Sequence, residues 1–158
     1  MNPFRALAIW LGGQPWLPRI GGRWIPALDR LLRRLSRGRL TLLTLSGIPE
    51  LFLIVPGRRS GIIRTTPLLC VPVDGGWLVA GSNWGQPKPP AWLGNLLAAD
   101  RAEVEYRGRR AVCSAVRLSG DERAEAWQRM LKVWPNYAKY AERTDREIAV
   151  VKLQHGPM

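Results

Sequence analysis

Histidine is almost missing from this chain: 158 residues contain one, His155, close enough to the C-terminus to be expected in a frayed tail. Nucleophilic catalysis that depends on a histidine base, and metal sites built on imidazole, are thereby excluded. The glycine-bracketed serine of hydrolases, the Walker-type phosphate loop and the G-x-G-x-x-G fingerprint are also absent, which removes hydrolase, NTPase and dinucleotide-fold readings. Cysteine is scarce. Cys70 and Cys113 each fall inside an apolar, strand-like run without metal-ligand spacing, and read as small buried side chains in a reducing cytosol. No apolar run reaches the length of a bilayer span. The short apolar start is followed by Gly12-Gly13-Gln14-Pro15-Trp16, a poor cleavage region, so no secretory signal is expected. Acidic residues number 12 against 24 basic ones and are scattered without a convincing pair. An enzyme with this inventory must take its hard chemistry from a cofactor, and no metal is expected.

What the chain does have is positive charge. With 46% apolar and 23% charged residues it is globular, and its length suits one domain with a real core. The net charge is +12, and eight arginines against one acid, Asp29, lie within residues 1–40. Anionic partners follow from that balance: nucleic acid, an acidic membrane surface or a polyanionic small molecule. Pro26 to Gly38 predicts a helix, with proline near its start and glycine past its end. Leu28, Leu31, Leu32 and Leu35 form one stripe and Arg30, Arg33, Arg34 and Arg37 the opposite face, with Trp10, Trp16 and Trp24 upstream. Two readings fit: a helix lying in a membrane interface, or a stripe covering the protein's own core.

Beyond residue 48 the pattern changes to strands. Leu51 to Val55 is apolar on both faces. Leu68 to Val73 and Gly76 to Gly81 flank the turn Asp74-Gly75, and Pro72 marks an edge or a bulge. Ala102, Val104 and Tyr106 alternate with polar residues, and Gly108 turns the chain into Ala111 to Leu118. Ser119-Gly120-Asp121-Glu122 has capping-box spacing before a helix with Ala124, Trp127, Leu131 and Trp134 on one face. A short piece with Tyr137 and Tyr140 follows Pro135, and Ile148 to Leu153 makes a last strand. Five or six strands so arranged predict an α+β fold, a closed or nearly closed antiparallel barrel. The division expected is a basic helical segment over 1–40 and a barrel domain over 41–158.

Two loops carry candidate chemistry. Gly57-Arg58-Arg59-Ser60-Gly61, followed by Arg64-Thr65-Thr66-Pro67, is a glycine-bracketed turn with guanidinium forks. It either holds an anionic tail or is an ordinary solvated hairpin turn. From Ser82-Asn83-Trp84 to Leu96 a strand ends in a polar loop and prolines launch a short helix. Ser82 and Asn83 could bond a heteroaromatic edge with Trp92 as an apolar wall, or Trp92 is simply core.

These stretches, with Lys88-x-Pro90-x-Trp92-x-x-Asn95-Leu96, Trp134-Pro135-x-Tyr137-x-x-Tyr140 and Thr144-Asp145-Arg146-x-Ile148-x-Val150-Val151, match a known family in order and spacing. The chain resembles the actinobacterial deazaflavin-dependent nitroreductase and quinone reductase family over roughly residues 40–153. Members use the 8-hydroxy-5-deazaflavin coenzyme F420. The resemblance implies a split β-barrel with N-terminal and short flanking helices. Its coenzyme contacts carry over to Arg58, Arg59 and Ser60; to Arg64, Thr65, Thr66, Pro67, Leu68 and Leu69; to Ala80, Gly81, Ser82 and Asn83; to Lys88; to Ala91, Trp92, Leu93, Gly94 and Asn95; and to Tyr137. Arg58, Arg59, Arg64 and Lys88 suit its phosphodiester and oligoglutamate tail. Ser82 and Tyr137 are the catalytic candidates, stabilising charge and delivering a proton. The implied acceptor is a menaquinone-like quinone or a nitro-aromatic compound. The implied location is cytoplasmic, peripheral on the inner membrane face through the N-terminus. The alternatives are an FMN enzyme of the same barrel, or a non-enzymatic basic barrel that binds membrane or stores a cofactor. Nucleic acid is not expected, because the tryptophans fall mainly on helices and loops rather than on a basic sheet face.

The chain departs from the family pattern in places. Leu93 stands for a tyrosine, Trp84 for a glycine, Cys70 for an aromatic residue and Ala149 for a proline, and the hairpin around Asp74 is shifted by one residue. Trp84 and Leu93 would lie near the coenzyme or acceptor pocket.

Overall fold

A computed structural model describes residues 2–155. The chain forms two compact units, one ending at Pro49 and the other starting at Glu50.

The first unit is helical. Asn2 caps α1 (Pro3–Gly12), its Oδ1 accepting the Phe4 N–H at 3.0 Å. The second helix, α2, spans Leu17–Leu35, so Pro26 lies inside it rather than near its start. Proline's fixed φ is compatible with a helix, and continuing through it forfeits one backbone hydrogen bond. Leu28, Leu31 and Leu35 of the stripe remain exposed, as do Trp10, Trp16 and Trp24. The one acid of this stretch ties the chain together locally. Asp29 Oδ1 accepts the Leu42 N–H at 2.8 Å, at the start of α3 (Leu42–Leu45).

The second unit is one antiparallel sheet of seven strands, the curled half-barrel of a split-barrel fold, with short helices between them. The strands are β1 (Glu50–Pro56), β2 (Ile63–Leu69), β3 (Val71–Val73), β4 (Gly76–Ala80), β5 (Ala102–Tyr106), β6 (Arg109–Arg117) and β7 (Val150–His155). Their order in the sheet is β2-β1-β5-β6-β7-β4-β3. Seven strands replace the five or six expected because one run divides, and one strand is longer than expected. Leu68 to Val73 divides at Cys70, and β2 begins at Ile63, so Arg64 to Pro67 is strand rather than loop. Pro67 and Pro72 fall in β2 and β3, the two outermost strands, where a missing N–H leaves no ladder partner unpaired. Asp74-Gly75 closes the β3–β4 hairpin, with Gly75 at φ +76°.

Leu51, Leu53 and Val55 of β1, Val79 of β4, Val104 of β5 and Val151 and Leu153 of β7 make a core. Leu93 and Leu96 of α4 (Ala91–Ala98) pack into it. In α5 (Gly120–Val133) the buried residues are Ala126 and Met130; of the expected face, Trp134 just past the helix is buried, Trp127 and Leu131 are half-buried and Ala124 is exposed, so the inward face is only partly the expected one. Ser119 precedes α5 without a side-chain capping bond. His155 is not frayed: it ends β7, its N–H donates to the Gly75 carbonyl at 2.9 Å, and its ring lies 4.6 Å from that of Trp77. Cys70 and Cys113 are free and buried, and burial, with Glu50 adding to it, pushes the Cys70 thiol up to about 12.

Candidate functional site

The loop between β1 and β2 owes its shape to its glycines. The Gly57 N–H donates to the Ile62 carbonyl and the Gly61 N–H to the Gly57 carbonyl, both at 2.8 Å. Gly61 has φ +69°, and a Cβ on Gly57 would run into the Ser60 hydroxyl. Ser60 Oγ in turn accepts the Ile62 N–H at 3.2 Å. Arg58 and Arg59 are thereby carried on a tight, internally bonded turn.

Arg58 is docked on α4. Its backbone N–H donates to Asn95 Oδ1 at 3.1 Å, and its Nη1 donates to Asn95 Oδ1 and to the Ala91 carbonyl, each at 3.3 Å. A Cβ at Gly94 would overlap that guanidinium, so glycine is what lets it approach the helix. Arg58, Arg59 and Arg64 border one cleft of about 560 Å³, completed by Val55, Gly57, Ser60, Thr66, Ala91, Trp92 and Asn95. No carboxylate lines it. Arg59 and Arg64 make no ion pair or side-chain hydrogen bond among the described residues. Three cations in a concave site without a countercharge are the composition that an anionic ligand requires.

The pleat of β2 divides the predicted contacts. Arg64, Thr66 and Leu68 pair with Val55, Leu53 and Leu51, the inward face, whereas Thr65, Pro67 and Leu69 pair with Ile54, Phe52 and Glu50. Arg64 and Thr66 line the cleft and Leu68 packs against the core. Trp92 does both, bordering the cleft while resting on the core.

The second loop leaves β4 at Ala80. The Gly81 N–H donates to the Ala149 carbonyl at 2.9 Å, and a Cβ on Gly81 would press on the Leu93 side chain. After half-buried Ser82, residues Asn83, Trp84 and Gly85 have φ of +44°, +60° and +75°. Two of these carry side chains, which disfavour that region. Asn83 Nδ2 donates to the Lys88 carbonyl at 2.8 Å, closing the loop on itself, and the Lys88 side chain is exposed. Arg146 supplies three further bonds to this loop, and Arg143 Nη1 donates to the Trp84 carbonyl at 3.4 Å. Burial lowers the Arg146 guanidinium from its ordinary value.

Tyr137 lies in α6 (Asn136–Glu142), buried, with its ring 5.7 Å from Trp127 and 6.1 Å from Tyr140. Burial, then the neighbouring Tyr140, raises its phenol well above the ordinary tyrosine range, so it stays protonated at neutral pH. Ser82, Asn83, Lys88 and Tyr137 are not among the residues lining the arginine cleft. Ala80 and Leu93 are buried in the core. Arg143 and Arg146 escape a sequence reading focused on contacts. The signal was Thr144-Asp145-Arg146 ahead of the last strand, but the carbonyls they bond are some sixty residues away.

Residues 29–155 match the family described as F420H(2)-dependent quinone reductase. The chain is 30% identical over 141 residues to an F420H(2)-dependent quinone reductase of Mycobacterium tuberculosis, an alignment covering 87% of this chain and 95% of that one. Among solved structures, an F420-H2 dependent reductase (FDR-A) superposes with a TM-score of 0.62 at 31% identity, over 67% of this chain and 94% of its own. A chain described as a domain-swapped dimer gives 0.65 at 27% identity, over 85% and 99%.

Proposed function

The chain belongs to the F420H(2)-dependent quinone reductase family, and from that premise we propose that its arginine cleft holds the anionic end of the coenzyme while the Ser82 loop attends the deazaflavin ring. It is an oxidoreductase, its coenzyme is F420, and quinones are its acceptor class. The observation that carries the binding assignment is the lining itself: Arg58, Arg59 and Arg64 converge without a carboxylate among them. A flexible tail with a phosphodiester and several glutamates can meet all three, whereas FMN offers a single phosphate group. The residues present fit the coenzyme.

When bound in its reduced form, the coenzyme supplies a hydride. The chain itself has to orient the partners, exclude water and deal with the charge and the proton that quinol formation requires. We assign the Tyr137 hydroxyl as a donor to the developing oxyanion, a role that the family resemblance implies for this buried phenol. Ser82 Oγ is the second such donor, on a backbone that Arg146 holds. Trp92 supplies the apolar wall. Trp84, where the family resembled has glycine, tunes which flat acceptor enters, nitro-aromatics included, whereas Leu93, which stands for a tyrosine, packs in the core.

The finer part of the proposal is a lipid quinone met at an anionic membrane surface. Supporting it, α2 exposes Trp24, Leu28, Leu31 and Leu35 together with arginines in the first unit. None of the helices among the described residues is long and apolar enough to cross a membrane.

Titrating the purified protein with oxidised F420 and separately with FMN, following tryptophan quenching, tests the assignment. F420 is expected to bind at least tenfold more tightly. A tighter FMN complex would move the chain to the flavin reading, and no binding of either would leave a non-catalytic barrel.

A further inference from the structure

Arg146 sits in the stretch before β7, and its guanidinium meets the β4–α4 loop at both ends. Nη1 donates to the Gly81 carbonyl at 3.0 Å, Nη2 to the Ser82 carbonyl at 2.8 Å and Nε to the Gln86 carbonyl at 3.0 Å. Three N–H groups of one rigid planar fork therefore fix the entry and the exit of the turn together. Within the turn, the backbone bonds are Gly85 N–H to the Ser82 carbonyl at 2.8 Å and Gln86 N–H to the Asn83 carbonyl at 3.0 Å. The Ser82 carbonyl thus accepts from Gly85 and from Arg146, which fixes the peptide plane next to the Ser82 side chain.

The turn needs that support. Asn83 and Trp84 both occupy the left-handed region, at φ +44° and +60°. A non-glycine residue persists there only when its surroundings over-determine it. The clamp is itself positioned, since Thr144 Oγ1 accepts the Arg146 backbone N–H at 3.3 Å.

We propose that Arg146 is a positioning residue for the coenzyme reaction: it holds the strained turn at Asn83-Trp84 so that Ser82 is presented to the site in one orientation. The assignment rests on the reading that Ser82 belongs to that site. Lysine cannot take its place, because one ammonium on a flexible stem does not span three carbonyls at both ends of a loop. Trp84→Gly, in contrast, removes much of the strain the clamp opposes.

Hydrogen exchange on the coenzyme-free protein, read at the Gly85 and Gln86 amides, measures the clamp without any turnover. In Arg146→Met those amides are expected to exchange at least tenfold faster, and kcat with a quinone to fall at least tenfold while the coenzyme dissociation constant changes less than threefold. Arg146→Lys should lie within threefold of Arg146→Met in both readouts. Adding Trp84→Gly to Arg146→Met should restore at least half of the lost protection, on a logarithmic scale. Unchanged exchange in Arg146→Met overturns the clamp, and faster exchange with unchanged kcat overturns the positioning role. The comparison with Ser82→Ala separates the two assignments. Normal turnover there, beside a loose loop and lost turnover in Arg146→Met, sustains the clamp on the turn but overturns its action through Ser82 and removes Ser82 from the site.

Discussion

In the β1–β2 loop Arg58 is pinned by Asn95 and the Ala91 carbonyl, whereas Arg30 and Arg34 on α2, and Arg37 just past its end, stand exposed beside leucines that are also exposed. The same side chain is therefore used in two physical modes. A pinned guanidinium has already lost its rotamer freedom and presents its remaining donors at a set place, which suits a ligand of fixed chemistry. An exposed arginine on a helix contributes net charge and little geometry, which suits a diffuse anionic surface whose attraction decays with the screening length. Charge counted along the sequence does not distinguish them. The hydrogen bonds around each guanidinium do.

The contrast can be broken from either side. Arg58→Glu with Arg59→Glu should cost about 1.5–3 kcal/mol per lost charge-assisted contact, so coenzyme affinity falls on the order of 10²- to 10⁴-fold in the titration. Pelleting with acidic vesicles should not change. Unaltered coenzyme affinity in this variant would remove the tail-binding role of the loop. From the other side, replacing Arg30, Arg33, Arg34 and Arg37 by glutamine removes about 1 kcal/mol each near an anionic leaflet, roughly a 10³-fold loss in vesicle partitioning. Coenzyme affinity should stay as it was, and binding by the native chain should weaken as salt rises. Negligible pelleting of the native chain on acidic vesicles would make an acceptor in solution the better reading.

Within the strand domain the contrast can be sharpened by separating binding from chemistry. Ser82→Ala and Tyr137→Phe should each lower kcat about 10²-fold, near 3 kcal/mol, with a much smaller effect on coenzyme affinity. If both simply lose coenzyme while the remaining complex turns over normally, they are binding contacts. The smallest effect is expected from Gly94→Ala. Its methyl group displaces the Arg58 guanidinium, the mobile end of a long side chain, so a few-fold loss of affinity, about 1 kcal/mol, is the expected reading. No loss would mean that pinning Arg58 on α4 does not matter for binding.

Local chemistry explains what could be read from the sequence. The barrel was legible because apolar alternation has a period of two, and Asp74-Gly75 and Gly57 to Gly61 each turn where glycine permits. The cleft was legible in Arg58, Arg59 and Arg64, and its alternate-residue lining follows from β2 being a strand. That strand was itself hidden, since Arg64-Thr65-Thr66-Pro67 is polar with a proline, and only its place at the sheet edge makes both tolerable. Pro26 signals a helix start by its missing N–H, yet α2 runs through it. The inward face of α5 depends on what packs beneath it: Ala126 and Met130 are buried where the pattern offered Ala124 and Leu131, while Trp134 is buried as expected. The Arg146 clamp depends on carbonyl directions, which no residue pattern encodes.

One consequence lies in the place of β7, which stands between β6 and β4 although it is made last among the strands. Ala80 pairs with Val150, and Arg117 with Val151. On the ribosome the four strands β2, β1, β5 and β6 and the β3–β4 hairpin therefore share no ladder, only links along the chain such as that at Cys70, until residues 150–155 emerge. Making the chain from Gly81 to Ala149 takes roughly 3–14 s at about 5–20 residues per second. Through that interval β4 presents an open edge that invites pairing with other nascent chains. The sheet that carries the loop after β1 and the hairpin that carries the loop after β4 become one ladder only then, so completion of the catalytic apparatus waits on the insertion of a single late strand.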